Sequence, residues 1–337
     1  MSVLDDLQSR AAAHPAHIVL SEGFDPRIVS AAVRAIKAGL GRITLVGDTQ
    51  TVTEQLAAIG AAPSENLQIA DPATSPLTRE VADTYLQLRQ HKGVTAEIAA
   101  RNAIDPLIFA AMLVRLGHAD GTVGGAVATT SDTVRAALQI IGKAADAPLV
   151  SSFFLMAMPV DHPSGRGAMI FSDCGLVIDP SASELAAIAA QSAASCSALI
   201  AETPKVALLS FSTKGSARHA SVTKVTDALT LLRTQHPDIS ADGELQVDAA
   251  FVPDVGASKA KGSDVAGHAN VMIFPNLDAG NIGYKIAQRI GGCTAIGPVL
   301  QGLAKPANDL SRGCTADDVV HMIAVTTLQA AALKERT

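Results

Sequence analysis

The segment Gly297–Asp318, GPVLQGLAKPANDLSRGCTADD, contains polar side chains that could bind an anion. It follows an apolar, strand-like stretch, and open α/β sheets bind ligands where their strands end. Arg312 offers a planar fork of donors that matches a phosphate, and Ser311 adds a hydroxyl. An arginine here could equally be an ordinary surface or ion-pair residue. Thr315 and Asp318 have the spacing of a capping box, so Asp318 is either a helix cap or an acid that acts on a substrate.

A second candidate segment is His118–Arg135, HADGTVGGAVATTSDTVR. A glycine-ended strand is followed there by Thr130 and Ser131, just before a predicted helix. Hydroxyls and free N–H groups at a helix start bind anions. Arg135 would lie about one turn further and could face the same anion. The alternative is that Thr130 or Ser131 only caps the helix.

A third candidate is Ala266–Lys285, AGHANVMIFPNLDAGNIGYK, where an apolar strand ends near Phe274. Gly280 and Gly283 follow at a strand-to-helix turn where a ligand could approach the backbone. A tight turn without any ligand explains the same pattern.

Signals of several other protein classes are missing from the sequence. There is no G-x-x-x-x-G-K-[ST] phosphate loop, no convincing G-x-G-x-x-G fingerprint and no G-x-S-x-G elbow. The histidines lack the H-x-x-x-H or H-E-x-x-H spacing of a metal site. We therefore expect neither a metal nor a tightly bound cofactor.

The composition indicates a well-packed globular protein, with 48% hydrophobic, 17% charged and only 3% aromatic residues and no Trp. A formal net charge of −6 gives no field that would recruit nucleic acid or an anionic membrane. The N-terminal MSVLDDLQSR does not resemble a signal peptide, and no run of 18 apolar residues occurs. Four scattered cysteines indicate reduced thiols, so a cytoplasmic location is expected.

β-Branched runs alternate with helical patterns along the whole chain, which predicts an α/β fold with parallel sheets and right-handed crossovers. The best break in the first half is Gly142–Pro148, and a second change of pattern comes near Gly297–Gly302. Strands are predicted at His17–Ser21, Arg42–Val46, Gly121–Gly125, Leu149–Leu155, Ala168–Cys174, Val206–Phe211, Val271–Phe274 and Thr294–Ile296.

Nearly the whole chain resembles the phosphate acetyltransferase family. The resemblance is carried by SEGFDPR (Ser21–Arg27), DGTVGGAVATTSDTVR, FVPDVGASKAKGSDVAGHANVMIFPNLDAGNIGYK and GPVLQGLAKPANDLSRG. It implies two α/β domains with mostly parallel sheets and an interdomain cleft, similar to isocitrate and isopropylmalate dehydrogenases. The implied domains are residues 1–147 plus 301–337 and residues 148–300. It also implies a homodimer.

The resemblance further implies the reaction and its residues. Acetyl phosphate, phosphate and coenzyme A are the implied substrates. An aspartate matching Asp318 is the general base for the thiol of coenzyme A, and a serine matching Ser311 steadies the transition state. Arg312 is the third implied catalytic residue and is placed at the substrates. The implied substrate-binding residues are Arg89, Arg135, Thr130 and Ser131. Lys261 and Ala128 depart from the family pattern, which leaves acyl-chain selectivity open.

We expect direct attack of the thiol on the acetyl carbon in a ternary complex. An acetyl-enzyme on Cys314, near a helix start, is an alternative route. Within the same chemistry the alternative is a phosphate butyryltransferase. Other classes are a metal- and NAD-dependent dehydrogenase on a similar fold, for which no acidic metal cluster is evident, and a noncatalytic acyl-phosphate or coenzyme A binding protein.

Overall fold

The computed structural model describes residues 2–336, which form eleven strands and thirteen α-helices. The strands are β1 (Ala16–Leu20), β2 (Gly41–Val46), β3 (Leu67–Ala70), β4 (Gly121–Gly124), β5 (Ser151–Ala157), β6 (Ala168–Ser172), β7 (Lys205–Leu209), β8 (Ser240–Leu245), β9 (Val271–Ile273), β10 (Thr294–Gln301) and β11 (Ala307–Asp309).

The helices are α1 (Val3–Ala13), α2 (Pro26–Lys37), α3 (Thr49–Ala58), α4 (Thr78–Arg89), α5 (Ala96–Asn102), α6 (Pro106–Leu116), α7 (Thr130–Ala136), α8 (Ala182–Ile200), α9 (Ala220–Gln235), α10 (Val247–Phe251), α11 (Pro253–Lys259), α12 (Leu277–Arg289) and α13 (Ala316–Arg336). Helix α7 continues into a π-helical turn at Ala137–Ile141. Within residues 2–336, no helix combines the length and the apolar character that a bilayer span requires.

The chain divides into two compact units. The first unit comprises Asp5–Ala145 and the chain from Leu303 onward, and the second comprises Asp146–Gly302 with the residues up to Leu4. The predicted division into domains of residues 1–147 plus 301–337 and residues 148–300 stays a prediction.

The first unit is built on a five-stranded sheet with the order β11-β4-β1-β2-β3. Every pair in it is parallel. The strands are rich in buried aliphatic residues, among them Ile18, Leu20 and Ile43, because helices cover both faces of a parallel sheet. Helices α2 and α13 pack against each other and against β2 and β1 respectively. Every residue predicted for catalysis or substrate binding belongs to this first unit.

The second unit is built on a six-stranded sheet with the order β10-β5-β6-β9-β7-β8. Strand β5 runs antiparallel to both of its neighbours, and the other pairs are parallel. The fold is thus mostly parallel, as predicted, and the two pairs that β5 forms are the antiparallel ones. The physical reason is the connection from Ala157 to Ala168, which contains no helix and so cannot make a parallel crossover.

Candidate active site

Three neighbouring strands of the first unit end at one edge of its sheet. Asp309 at the end of β11 pairs with Gly124 at the end of β4, and Leu20 at the end of β1 pairs with Val123. Because the strands are parallel, the segments that follow them leave the sheet side by side. We call this the carboxyl edge: residues 21–27 after β1, 125–135 after β4 and 310–318 after β11.

The segment after β11 forms a tight turn. The N–H of Cys314 donates to the carbonyl oxygen of Ser311 at 2.9 Å, and the N–H of Gly313 donates to the Ser311 hydroxyl at 3.2 Å. Ser311 and Arg312 are both exposed on this turn. Their side chains are therefore accessible, and their roles at a substrate stay a prediction.

Arg27 links all three segments of the carboxyl edge. Its guanidinium donates to the carbonyl oxygens of Arg312 at 2.8 Å, Cys314 at 3.1 Å and Ala126 at 2.8 Å. It also forms an ion pair of 2.8 Å with the carboxylate of Asp25. This hydrogen bonding raises the pKa of Arg27 and lowers the pKa of Asp25, so both groups stay charged. The turn that carries Ser311 and Arg312 is thus fixed to the loop that follows β4.

Asp318 closes a capping box at the start of α13. Its Oδ2 accepts from the N–H of Thr315 at 2.8 Å and from the Thr315 hydroxyl at 2.9 Å, and its own N–H donates to that hydroxyl at 3.2 Å. All three contacts leave Oδ1 unused. Asp318 is half-buried, so this second oxygen is open to another role.

The helix after β4 begins at a different cap from either of those weighed in the sequence. Thr129 is the N-cap of α7, because its hydroxyl accepts from the N–H of Asp132 at 3.2 Å. The interpretation of Thr130 or Ser131 as the cap is therefore wrong. Both side chains are exposed in the first turn, and neither is used to start the helix.

Arg135 lies on the same short helix and is exposed. Its Nη1 donates to Oδ1 of Asp132 at 2.7 Å, an ion pair between exposed side chains one turn apart. Such a pair is weak and is screened by salt, so an incoming anion can compete for the guanidinium.

Arg89 lies apart from these residues at the C-terminal end of α4, which packs on α5 and α6. It is half-buried, and its Nε is buried without a hydrogen-bond partner. Among the described residues, no hydrogen bond or ion pair joins Arg89 to the carboxyl edge.

Two acids at the carboxyl edge were not singled out from the sequence. The carboxylate of Glu22 is buried and accepts from the N–H groups of Ala126 at 2.7 Å, Val127 at 3.0 Å and Ala128 at 2.7 Å. Glu22 thus fixes the backbone of the loop that leads to α7. The available signal was an acid placed directly after the first predicted strand.

The second of these acids is Asp309, the last residue of β11. Burial raises the pKa of Asp309 to about 7, the hydroxyls of Thr130 and Thr133 oppose this rise, and Glu22 adds to it. Neither Asp309 oxygen has a hydrogen-bond partner of ordinary geometry among the described residues.

Cys314 is a poor candidate for a covalent acetyl-enzyme. Its thiol is buried, and burial raises its pKa although the nearby Arg27 lowers it. A thiol with a raised pKa supplies little thiolate at neutral pH, so the geometry disfavours this route.

The third sequence segment is part of the second unit, and its glycines serve packing. A Cβ at Gly280 would lie 2.2 Å from the carbonyl oxygen of Asp173, so α12 approaches the chain's own backbone there. Asn276 caps that helix, accepting from the N–H of Ala279 at 3.0 Å. These contacts favour the tight-turn interpretation of Gly280 over a ligand site. Within residues 2–336, no three His, Cys, Asp or Glu side chains converge as a metal ion would require.

The first unit therefore presents exposed hydroxyl and arginine side chains at the carboxyl edge of a parallel sheet, where open α/β sheets bind ligands. Sequence comparison then identifies the class of protein. The sequence model described as Phosphate acetyl/butaryl transferase matches residues 2–327, and the chain belongs to that family.

Individual relatives agree with this assignment. The chain is 53% identical to a phosphate acetyltransferase from Paracoccus denitrificans, over 98% of this chain and 99% of the relative. It is similar to a phosphotransacetylase structure from Streptococcus pyogenes, with a TM-score of 0.89, 41% identity and 98% of each chain covered. The predicted family and the predicted phosphate acetyltransferase activity are confirmed.

A distant structure supports the predicted fold class. That structure is of a Salmonella typhimurium protein assigned as a 4-hydroxythreonine-4-phosphate dehydrogenase. It matches with a TM-score of 0.50 at 13% identity, covering 95% of this chain and 98% of its own. At that identity the match concerns the fold alone, and it confirms the dehydrogenase-like α/β architecture.

Proposed function

We propose that this phosphate acetyltransferase moves an acetyl group between acetyl phosphate and coenzyme A by direct thiol attack, with the carboxyl edge of the first unit holding the phosphate end. The observation that supports this most is the Arg27 guanidinium, which fixes the turn of Ser311 and Arg312 to the loop before Thr130. Donors from two distant parts of the sequence are thereby held beside each other without any substrate.

In this proposal the phosphate group meets charge and hydroxyl donors together. Arg312 binds phosphate oxygens through its fork of N–H groups, and Arg135 leaves Asp132 to add a second positive charge. The Thr130 and Ser131 hydroxyls complete the contacts. Negative charge that accumulates on the phosphate oxygens as the C–O bond breaks is stabilised by these donors.

Asp318 is proposed as the base that accepts the proton of the coenzyme A thiol. Its Oδ2 is held by Thr315, so Oδ1 has a fixed direction for the proton. The sulfur forms a bond to the acetyl carbon, the carbon–oxygen bond to phosphate breaks, and the proton passes from the aspartate to solvent or to the leaving phosphate. Ser311 donates to the oxyanion that develops on the acetyl carbon.

The proton transfer sets a constraint on timing. An ordinary thiol and an ordinary carboxyl group differ in pKa by about 4.6 units, or roughly 6 kcal/mol. Prior formation of a free thiolate would add that amount to the barrier. The proton therefore leaves as the S–C bond forms, which is general base catalysis.

Arg89 is proposed to contact coenzyme A rather than the transferred group. The supporting observation is its buried Nε without a partner, since an arginine donor in that state gains a hydrogen bond when an anion or a carbonyl arrives.

A homodimer is proposed from the outer face of α12. Ile282, Ile286 and Ile290 follow one another at four-residue spacing and are 58%, 51% and 83% exposed. Such a stripe on a helix surface is typical of a protein contact, and a second copy of the chain is the simplest partner. A cytoplasmic location remains a proposal that rests on the free cysteines.

The acyl group is tested by measuring acyl-coenzyme A formation from acetyl phosphate and butyryl phosphate side by side. We expect a higher kcat/KM with acetyl phosphate. A preference for butyryl phosphate would favour the butyryltransferase alternative, and turnover of neither would overturn the proposal. One methylene changes binding by only about 1–3 kcal/mol, so both substrates need full kinetics rather than single points.

A further inference from the structure

Asp309 is a buried acid with unusual surroundings. Its side chain has no exposed surface, and neither carboxyl oxygen has a hydrogen-bond partner of ordinary geometry among the described residues. A buried polar group without partners is costly, so its presence requires a specific explanation. The mechanism above does not use it.

The loop after β4 packs directly on this carboxyl group. Gly125 has a φ of +97°, and a Cβ there would lie 2.1 Å from Oδ1 of Asp309. The N–H of Leu310 donates to the carbonyl oxygen of Gly124 at 2.7 Å, which holds the two segments together. Asp309 is therefore packed against the start of the loop that leads to Thr130.

Two hydroxyls lie beside the carboxyl group, those of Thr130 and Thr133. The Thr133 hydroxyl donates to the carbonyl oxygen of Thr129 at 3.3 Å. No hydrogen bond of ordinary geometry is formed by the Thr130 hydroxyl among the described residues, and Thr130 is exposed. Thr130 thus connects the buried acid with the surface where the anion is proposed to bind.

The charged groups around Asp309 offer it no cation. Glu22 is held by three backbone N–H groups, and its charge raises the pKa of Asp309 further. Arg27 pairs with Asp25 and donates to three backbone carbonyl oxygens, Arg135 pairs with Asp132, and Arg312 is exposed. Helix α13, which also packs on β11, carries Asp317, Asp318 and His321, and its Lys334 pairs with Asp120.

We propose that Asp309 is a positioning residue that acts on the phosphate through Thr130, and that it does so as the neutral acid. This inference rests on the proposed function, in which Thr130 contacts the phosphate. The neutral carboxyl group donates a hydrogen bond to Oγ1 of Thr130. The Thr130 hydroxyl hydrogen then points outward to a phosphate oxygen. An ionised carboxylate accepts that hydrogen instead and places a negative charge under the anion. The proton is exchanged with solvent, and no covalent bond between heavy atoms changes.

The test compares the wild type with Asp309→Asn between pH 6 and pH 8, measuring KM for acetyl phosphate. The neutral fraction of a group with a pKa of about 7 falls from roughly 0.9 to roughly 0.1 over this range, and apparent affinity scales with the competent fraction. The ratio of wild-type KM to variant KM should therefore rise about tenfold. Ionisation of the substrates is common to both proteins and cancels in the ratio.

The matched control is Glu54→Gln, which removes one exposed carboxylate on α3 of the same unit and should leave the ratio constant. A constant ratio for Asp309→Asn would overturn the proposal. The phosphate contact of Thr130 is tested separately with Thr130→Val. An unchanged KM for acetyl phosphate in this variant would mean that Thr130 does not contact the phosphate. A raised KM in Thr130→Val with a constant Asp309→Asn ratio rejects only the inference about Asp309.

A second measurement needs no variant. Sulfate keeps its charge across this pH range, so its binding to the wild-type protein at pH 7.5 reports protons taken up by the protein alone. Calorimetry in two buffers with different heats of ionisation should give an uptake of about 0.8 proton per site. Binding without proton uptake would overturn the proposal.

Discussion

At the scale of single residues, Asp318 combines two roles that the sequence offered as alternatives. The side-chain contacts of Asp318 with Thr315 both use Oδ2, whereas a proton acceptor needs only one free oxygen. The cap also restricts the side chain to one orientation, which is an advantage for a base. Helix capping and catalysis are therefore compatible in this residue.

Asp318→Asn separates the two roles. The side-chain oxygen of asparagine can accept the same N–H of Thr315 in the capping box, so the free energy of unfolding should change by less than about 1 kcal/mol. The loss of a general base should lower kcat by at least about 100-fold. Thr315→Ala is the complementary variant, since it should lose about 1 kcal/mol of stability and retain most of its kcat. Near-normal kcat in Asp318→Asn, measured by steady-state kinetics, would remove Asp318 from the mechanism.

The raised pKa of Asp309 also predicts how stability depends on pH. Between the unfolded pKa near 4 and the folded pKa of about 7, the native protein binds the extra proton, so stability falls as pH rises. From pH 5 to pH 8 the free energy of unfolding of the wild type should fall by roughly 2–3 kcal/mol relative to Asp309→Asn. Urea unfolding at several pH values measures the difference. Parallel pH profiles would show that Asp309 is ionised throughout.

At the scale of elements, the loop between β4 and α7 is fixed more strongly than its exposed residues suggest. Glu22 holds three consecutive N–H groups, and Arg27 holds the carbonyl oxygen of Ala126. Gly125 has a backbone conformation that favours glycine and also lacks room for a Cβ. The loop therefore presents Thr130 and Ser131 from a preformed backbone, which reduces the ordering that substrate binding requires.

Gly125→Ala tests how much this loop depends on close packing. Gly117 is a suitable control, since its φ of +87° is similar but nothing lies within 4 Å of its Cβ position. Gly117→Ala should cost about 1–2 kcal/mol, from backbone conformation alone. Gly125→Ala adds a collision with Asp309 and should cost at least about 2 kcal/mol more. Equal losses in chemical unfolding experiments would mean that the loop shifts freely.

At the scale of the whole molecule, the two units carry different proposed functions. All residues proposed for chemistry belong to the first unit, whereas the isoleucine stripe on α12 belongs to the second. Gly280 of α12 packs on the backbone at Asp173 and Gly283 packs on the ring of Phe274, which leaves the outer face of α12 for a contact with another chain. Catalytic groups and the proposed dimer contact are thus carried by different sheets.

Ile286→Glu should disrupt the proposed homodimer, because a charge in an apolar contact is costly to desolvate. Sedimentation velocity should show a monomer for Ile286→Glu and a dimer for the wild type. Ile104→Glu is the control, as Ile104 is 48% exposed on the first unit and should leave the dimer intact. A dimer of unchanged stability in Ile286→Glu would require a different contact surface.

The sequence by itself determined the alternation of strands and helices, because aliphatic strands and capped helices are local patterns. It missed three strands, β3, β8 and β11. Strand β8 reads SADGEL and β11 reads AND, and neither resembles a buried strand. Asp242 of β8 is accommodated by ion pairs with Lys214 and Arg233, which only the folded chain brings near. Tertiary contacts therefore override strand propensity at both places.

The sequence also identified the exposed donors of the candidate site, since Ser311, Arg312 and Asp318 belong to one short segment. Only the tertiary structure decided how that segment meets the loop after β4. Glu22 had only the signal of an acid directly after a predicted strand, and Asp309 had none, because an acid is not expected beneath a proposed anion site. The structural role of Glu22 is seen only in the folded chain, where a loop about 100 residues away supplies its three N–H donors. The role proposed for Asp309 depends on burial, which raises its pKa to about 7. Burial is a property of the fold rather than of the local sequence.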